Sequence, residues 1–465
     1  MTRRNAADRA LAIAATLVIA AYFWRLVRPT LRLYFTPDDS MNLFRAWDAP
    51  AGELVRANLL FFASSRFIRP LAEAWYRVIY SFAGFNPRPF HAALLAILFI
   101  NIWLTYAVAR RLAGSREVGA LAALIGCYNV RLADIYFDTG YIYDVLCYCF
   151  FFAAFLLYMR VRQSGRALKA TKLATVWLLF VCALNSKEIA VTLPAFLLIY
   201  EVLYHGRKWQ AAGVAVTAIT AAVFIAGRSL GSDSLLHNTA YQPSFTIHQF
   251  LVTSCSFMAD MLNRLDQGFP VWGTLAIWLA MLGIALLLRS RPLQFAWLFL
   301  MITPLPIAFI LPRGAAQYYL PWFGWTLFMA ALIAEIGRRI APAFRYRGAV
   351  IFAAVLLILY PYNKRQEWQK VAYAATEEGA GYHSLVDQLH ALNPSLPPRS
   401  RLYFVNDPIA PDIFDLLFLV RLSYHDDTIV VDRARQMKQP PSPQQIAAYD
   451  HVFDYRAGRF VEIKP

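Results

Sequence analysis

Two adjacent carboxylates, Asp38 and Asp39, lie in Tyr34-Phe-Thr-Pro-Asp-Asp-Ser-Met-Asn-Leu-Phe-Arg-Ala46, directly after the first long apolar run. Carboxylates at a bilayer edge are costly unless they are hydrated, paired or in use, so this pair is a candidate catalytic site. Neighbouring like charges push each other's proton affinities apart. One can then stay ionised as a general base while the other shares a proton or binds a cation. The same residues also suit a plain turn, because Pro-Asp-Asp-Ser opens helices with Asp or Ser as the cap. A second group lies in Arg131-Leu-Ala-Asp-Ile-Tyr-Phe-Asp-Thr-Gly-Tyr-Ile-Tyr-Asp144. Its Asp134, Asp138 and Asp144, with three tyrosines, could bind a sugar or a cation, or form only a hydrated loop tip. The four-residue spacing predicts that Asp134 and Asp138 share a helix face, and Gly140 is expected to permit the turn. A third group is Asn185-Ser-Lys-Glu188, where Lys187 and Glu188 could neutralise each other or their neighbours.

The positive charge nearest the aspartate pair is all arginine: Arg25, Arg28, Arg32, Arg45, Arg56, Arg66, Arg69, Arg77 and Arg88. Lysine would serve solubility equally well. Arginine adds a planar fork that matches phosphate and is more weakly hydrated, which points to a phosphorylated lipid. Snorkelling from interfacial helices accounts for most of the nine.

These groups are set in an apolar frame. The chain has 465 residues, is 59% hydrophobic and 15% aromatic, and has a mean hydropathy of +0.43. Long continuous apolar runs predict a polytopic helical membrane protein. Eleven spans are expected, at roughly 10–28, 90–109, 117–137, 141–160, 171–186, 188–204, 210–228, 269–289, 293–311, 318–336 and 348–362. Arg3-Arg4, Arg110-Arg111, Arg160 to Lys172, Arg207-Lys208, Arg289 to Arg291 and Arg338 to Arg347 then share one side. The positive-inside rule makes that side cytoplasmic, so the net charge of +16 reflects topology and not nucleic-acid binding. The first run is flanked by basic residues and lacks a small-residue cleavage site, which predicts an anchor and not a signal peptide. Loop 29–89 and residues 364–465 fall outside. The five cysteines have no metal-ligand spacing, and Cys147 and Cys149 are expected to pack in a helix.

From residue 364 the composition turns soluble. Strand-like 401–406 and 428–432 alternate with helix-like 412–422 and 443–450, predicting a small α/β domain over 364–465 and a membrane domain over 1–363. The soluble part has no Gly-rich phosphate loop, and His425-Asp-Asp427 is expected to be a solvated turn.

Several segments resemble, in order, the GT-C superfamily of integral-membrane glycosyltransferases. The resemblance is strongest to the protein O-mannosyltransferase branch and its relatives bearing tetratricopeptide repeats. It rests on Pro37-Asp-Asp, Arg69-Pro-Leu71, Asn86-Pro-Arg-Pro-Phe-His91, Thr139-Gly140 with Asp144, Ser186-Lys-Glu-Ile-Ala-Val-Thr-Leu-Pro194 and Tyr318-Tyr-Leu-Pro321. The sequence departs from the pattern at Asn129, where a proline is usual, at Ala316-Gln317, which replaces a charged pair, and in having no tetratricopeptide pattern after the last span. The resemblance implies a GT-C-like fold and transfer of a sugar from a polyprenyl-phosphate donor to a protein, glycan or lipid acceptor on the external face. It implies Asp38 as the base with Asp39 as its partner. Arg66, Arg69 or Lys187 would hold the donor phosphate, and Asp134, Asp138, Asp144, Glu188 and Tyr318 would face sugar or acceptor. A divalent metal could sit on Asp38, Asp39 and the hairpin carboxylates, but the sequence requires no cofactor. The expected setting is a bacterial inner membrane, with the N terminus cytoplasmic and the C-terminal domain periplasmic.

Two other readings compete. A lipid-linked-sugar transporter or flippase predicts charges or Gly/Pro breaks at mid-span, whereas the charges here gather at external ends. An inactive structural relative would keep the fold without the chemistry.

Overall fold

The computed structural model describes residues 3–63, 65–165, 169–230, 234, 237, 241–262, 268–312, 314–439 and 441–464, with side chains described outside 3–9, 366–378 and 464. The sequence also predicts a turn at Arg313, which lies outside these residues.

Helices α1 (Arg3–Val27), α2 (Pro37–Asp48), α3 (Ala51–Leu59), α4 (Pro70–Ala83) and α5 (Pro87–Ala113) open the chain. They are followed by α6 (Arg116–Gly126), α7 (Asp134–Phe137), α8 (Ile142–Gln163), α9 (Ala170–Ser186), α10 (Leu193–Tyr200) and α11 (Ala211–Leu230). The rest of the bundle is α12 (Ile247–Met261), α13 (Val271–Leu287), α14 (Arg291–Ile302), α15 (Tyr319–Ile340) and α16 (Arg347–Leu392). Each expected span overlaps a helix, although the one expected at 293–311 is α-helical only as far as Ile302. Among the described residues six stretches are long and apolar enough to cross a membrane: Ala10–Arg32, Pro87–Ala113, Thr139–Gln163, Glu188–Lys208, Ala211–Leu230 and Ala315–Ile340. The protein is an integral, multi-pass membrane protein. The span expected at 117–137 is shorter than its apolar run, because α6 ends at Gly126 and the chain continues as a 3₁₀ turn and the one-turn α7.

Local sequence explains the elements that frame the site. Thr36 and Asp39 form a reciprocal capping box around Pro37, the first residue of α2. Pro70 and Pro87 likewise stand first in α4 and α5, without a capping box, and Gly114 closes α5 in the left-handed region at φ 62°. Inside the bundle, aromatic rings interlock: Phe152 lies 4.4 Å from Phe323, and Phe196 lies 4.4 Å from Phe299. Such pairs add about 0.5–1.5 kcal/mol each beyond the area they bury.

Helix α16 runs through the boundary expected at 363/364, and its last turns carry Leu385, Val386 and Leu389 into a second core. That core belongs to a four-stranded sheet of order β2-β1-β3-β4, made of β1 (Arg401–Phe404), β2 (Val430–Arg433), β3 (His451–Arg456) and β4 (Arg459–Lys464). β1 pairs parallel with β2 and β3, while β3 and β4 form an antiparallel hairpin. Ala457 and Gly458 both have positive φ at its tip, the requirement of a tight type I′ turn. Helix α17 (Asp415–Tyr424) lies on this sheet, and the short α18 (Pro443–Ile446) precedes β3.

Candidate functional site

The capping box that starts α2 separates the two aspartates. Asp39 is completely buried, and its Oδ2 accepts from the Thr36 N–H at 3.0 Å. Its Oδ1 accepts from the Tyr76 hydroxyl at 3.2 Å and from the Thr139 hydroxyl. Tyr76 and Thr139 are themselves 3.2 Å apart, which ties α4 and the hairpin before α8 to the first turn of α2. Asp39 is thereby satisfied on both oxygens. Asp38, one residue earlier, is exposed.

The hairpin approaches α2 closely at Gly140. A Cβ there would stand 2.9 Å from Asp138 Oδ1 and 3.1 Å from the Asp38 Cβ, so a larger residue would push on both carboxylate side chains. The glycine therefore serves close approach and not a left-handed turn, correcting the reason drawn from sequence; its φ is not among the positive ones. The shared helix face expected for Asp134 and Asp138 also does not form. α7 stops at Phe137, leaving Asp134 exposed and Asp138 in extended conformation. Asp138 Oδ1 instead accepts from the Gly140 N–H at 2.7 Å and the Thr36 hydroxyl at 3.3 Å. Burial first, and then the neighbouring Asp39 charge, hold the Asp138 carboxyl well above the ordinary carboxylate range.

The expected phosphate-binding cations are spread differently. Arg69, the residue before α4, forks onto Glu188: Nε lies 3.2 Å from Oε1 and Nη2 3.1 Å from Oε2. Its guanidinium stands 5.1 Å over the Tyr143 ring. Burial opposes the charge on Arg69, but Glu188 outweighs it and raises the group's proton affinity. Lys187 pairs with the buried Asp144. Lys187 and Glu188 thus neutralise neighbours and not each other. Arg66 stands apart from them, 3.2 Å from Glu53 of α3 and half exposed. Tyr318 is fully buried, its ring 4.5 Å from Phe257 of α12 and its hydroxyl 3.5 Å from the Thr253 carbonyl. Its contacts are with α12 and not with the aspartate pair.

Among the described residues no group of three or more His, Cys, Asp or Glu is arranged to hold a metal ion.

No protein-family model matches the chain. No curated protein matches it in sequence. Solved structures do match its fold. ArnT from Cupriavidus metallidurans bound to undecaprenyl phosphate has a TM-score of 0.53 at 14% identity, covering 98% of this chain and 97% of its own. ArnT in the apo state gives 0.51 at 14% identity, over 99% and 98%. The apo Archaeoglobus fulgidus oligosaccharyltransferase gives 0.50 at 12% identity, over 91% of this chain and 65% of its own. These neighbours are GT-C superfamily membrane glycosyltransferases. The chain has the GT-C fold.

On this GT-C frame, residues absent from the expected set join the site. Arg45 is seven residues after Asp38 on α2, so the two share a face about two turns apart. Arg45 pairs with the fully buried Glu73 of α4. Tyr143, buried at the start of α8, lies within electrostatic reach of Glu73, Arg45, Arg69 and Asp38 together. The candidate site therefore has a carboxylate side at the start of α2 and an arginine side at Arg45 and Arg69, joined by one phenol. The seven-residue spacing of Asp38 and Arg45 was the signal in the sequence. Tyr143 had none.

Proposed function

We propose that the protein transfers a sugar from a polyprenyl-phosphate donor to an acceptor on the external face, with Asp38 as general base. The acceptor O–H proton passes to Asp38, the acceptor oxygen bonds to the sugar's anomeric carbon, and the bond from that carbon to phosphate oxygen breaks. The polyprenyl phosphate leaves with the electron pair. The observation that carries this reading is the unequal treatment of the aspartates: Asp39 is buried and satisfied by Thr36, Tyr76 and Thr139, whereas Asp38 is exposed. A base must present its oxygens to the attacking group, and Asp39 as bonded cannot. Asp39 is then a positioning residue. Arg69 supplies a fork for the leaving phosphate, Arg45 adds charge beside it, and Lys187 supports the same side. Asp134, Asp138, Asp144 and Glu188 lie around the acceptor and sugar, and a sugar of the mannose type follows from the motif resemblance alone. Undecaprenyl phosphate, bound by the ArnT neighbour, is the probe of choice for the donor's lipid end.

Asp38→Asn keeps size and hydrogen bonding but removes basicity, so turnover should fall about 10²-fold or more at normal expression. Transfer in this variant within a few-fold of wild type would remove Asp38 from the mechanism. If Asp39→Asn proved dead and Asp38→Asn active, the roles would exchange.

The proposed orientation places the N terminus in the cytoplasm and the sheet domain outside, on the strength of the basic-loop alternation. An impermeant thiol reagent added outside should label Ser395→Cys and spare Ser115→Cys; the reverse pattern overturns the orientation.

A further inference from the structure

Helix α17 belongs to the sheet domain, yet half of it packs on the membrane domain. Leu416, Leu419 and Val420 form the stripe that faces the sheet core. Phe418 and Leu422, four residues apart on another face, join the core of the bundle instead. What they meet is α2. The Phe418 ring stacks on Phe44 at 4.8 Å, and Arg421 stands 6.0 Å over the same Phe44 ring. The His425 ring stacks on Tyr80 of α4 at 5.1 Å and lies 5.5 Å from Trp47. The Tyr80 hydroxyl donates to the Leu422 carbonyl at 2.7 Å, so its 3.0 Å contact with His425 makes Nδ1–H the donor. The turn at His425 is exposed, as expected from sequence, and its ring also takes part in a joint between the domains. A second joint stacks Tyr34, ahead of α2, on His383 of α16 at 4.5 Å and 21°.

This pairing runs in one direction. Phe44 and Trp47 along α2 meet Phe418 and His425 in the same order, and Asp38 ahead of them lies within electrostatic reach of Asp415, so the two helices start on the same side. Asp415, at the first position of α17, is buried and accepts from the Tyr382 hydroxyl, and it lies within electrostatic reach of Asp38. Burial, with Asp38 adding to it, raises its carboxyl above the ordinary range, while the Tyr382 bond acts the other way.

We infer that the sheet domain is a working part of the site: α17 holds α2 in register, and Asp415 acts on Asp38 through its charge. The inference rests on the reading of Asp38 as the base. A neighbouring carboxylate disfavours ionisation of Asp38 and so makes it the more willing proton acceptor. The positive N-terminal end of α17 acts the opposite way, and it stays in place when Asp415 alone is changed. The titratable groups around Asp38 include Asp39 on its own helix, Asp138, Tyr141 and Tyr143 on the hairpin and α8, and Tyr382 behind Asp415. Asp415 is the one among the carboxylates that arrives from the second domain. Asp38 is consequently a full-strength base only while that domain is seated.

The test needs no substrate. A water-soluble carbodiimide with an added amine modifies protonated carboxyls, and peptide mass spectrometry of the full chain in nanodiscs reads the fraction modified at Asp38 against pH. Asp415→Asn should move the midpoint for Asp38 down by about half a pH unit or more. Asp415→Glu, which restores the charge, should bring it back towards wild type. Tyr382→Phe removes the bond that favours the Asp415 carboxylate, and should move the midpoint in the same direction by less. A midpoint unchanged in both Asp415→Asn and Tyr382→Phe overturns the inference. Should Asp415→Asn not fold, an unchanged midpoint in Tyr382→Phe and in Phe418→Ala, which unseats α17, does the same. These readings are independent of transfer, so a transfer-competent Asp38→Asn would defeat the proposed function while leaving the electrostatic coupling measurable.

Discussion

Arg162 with Glu201 and Arg69 with Glu188 are both forked arginine–glutamate pairs, set near opposite ends of the bundle. Arg162 and Asp144, the partner of Lys187, are 18 residues apart on the same helix, about 27 Å along its axis. The first pair is sealed. Its side chains are 5% and 0% exposed, Tyr158 donates to Glu201 Oε1 at 2.7 Å, the Gln210 N–H donates to Oε2 at 3.0 Å, and Arg162 Nη2 also reaches the Lys208 carbonyl at 2.8 Å. The second pair is 18% and 32% exposed, with longer bonds and the Tyr143 ring beneath the guanidinium. Residue types do not distinguish them. What differs is whether the carboxylate's remaining lone pairs are taken up by the protein, and an anionic ligand can compete only for the arginine whose partner is held less completely.

The largest effect should therefore be structural and belong to the sealed pair. Arg162→Ala leaves Glu201 buried without its counter-ion, a loss of about 3–5 kcal/mol of stability. Thermal unfolding in nanodiscs measures it. A variant that unfolds like wild type would show that the Arg162 pair is not a staple, and the comparison between the two ends would lose its meaning.

Much of this architecture could be read beforehand, and the parts that could not have a common cause. Continuous apolar runs located the spans, because a helix in lipid must satisfy its backbone internally and needs a minimum length. Thr36-Pro-Asp-Asp announced the start of α2 through a local cap. Which aspartate stays open was not local at all: it depends on Tyr76 and Thr139, 37 and 100 residues beyond Asp39. The partners of Lys187 and Glu188 lie 43 and 119 residues away, so adjacency alone left open whether the two neutralise each other or other groups. Strand β1 and helix α17 were visible in the alternation and apolar spacing of their own residues. The β3–β4 hairpin was not, since the expectation for that stretch ended with the helix-like 443–450, of which only Pro443–Ile446 is helical. Likewise nothing in α17 alone says that Phe418 and Leu422 leave the sheet core for another domain.

The smaller effect belongs to the open pair and tests its use. Arg69→Lys keeps the positive charge near Glu188 and Tyr143 but replaces a planar two-pronged donor by a point charge. If Arg69 serves the donor phosphate, binding of undecaprenyl phosphate should weaken by about 1–3 kcal/mol, roughly 5- to 150-fold, because a charge-assisted bond is lost from a site built for two. Stability should change much less than in Arg162→Ala, since lysine leaves Glu188 with a counter-ion and part of the pair already meets solvent. Titrating undecaprenyl phosphate against the two proteins in nanodiscs, with thermal unfolding measured on the same samples, separates the cases. Unweakened binding in Arg69→Lys and also in Arg69→Ala would reduce this arginine to the role of Arg162, a fastening between α4 and the chain ahead of α10. Binding lost in proportion to stability would say the same. Only a loss of affinity without a matching loss of stability marks an arginine whose fork is held for a ligand.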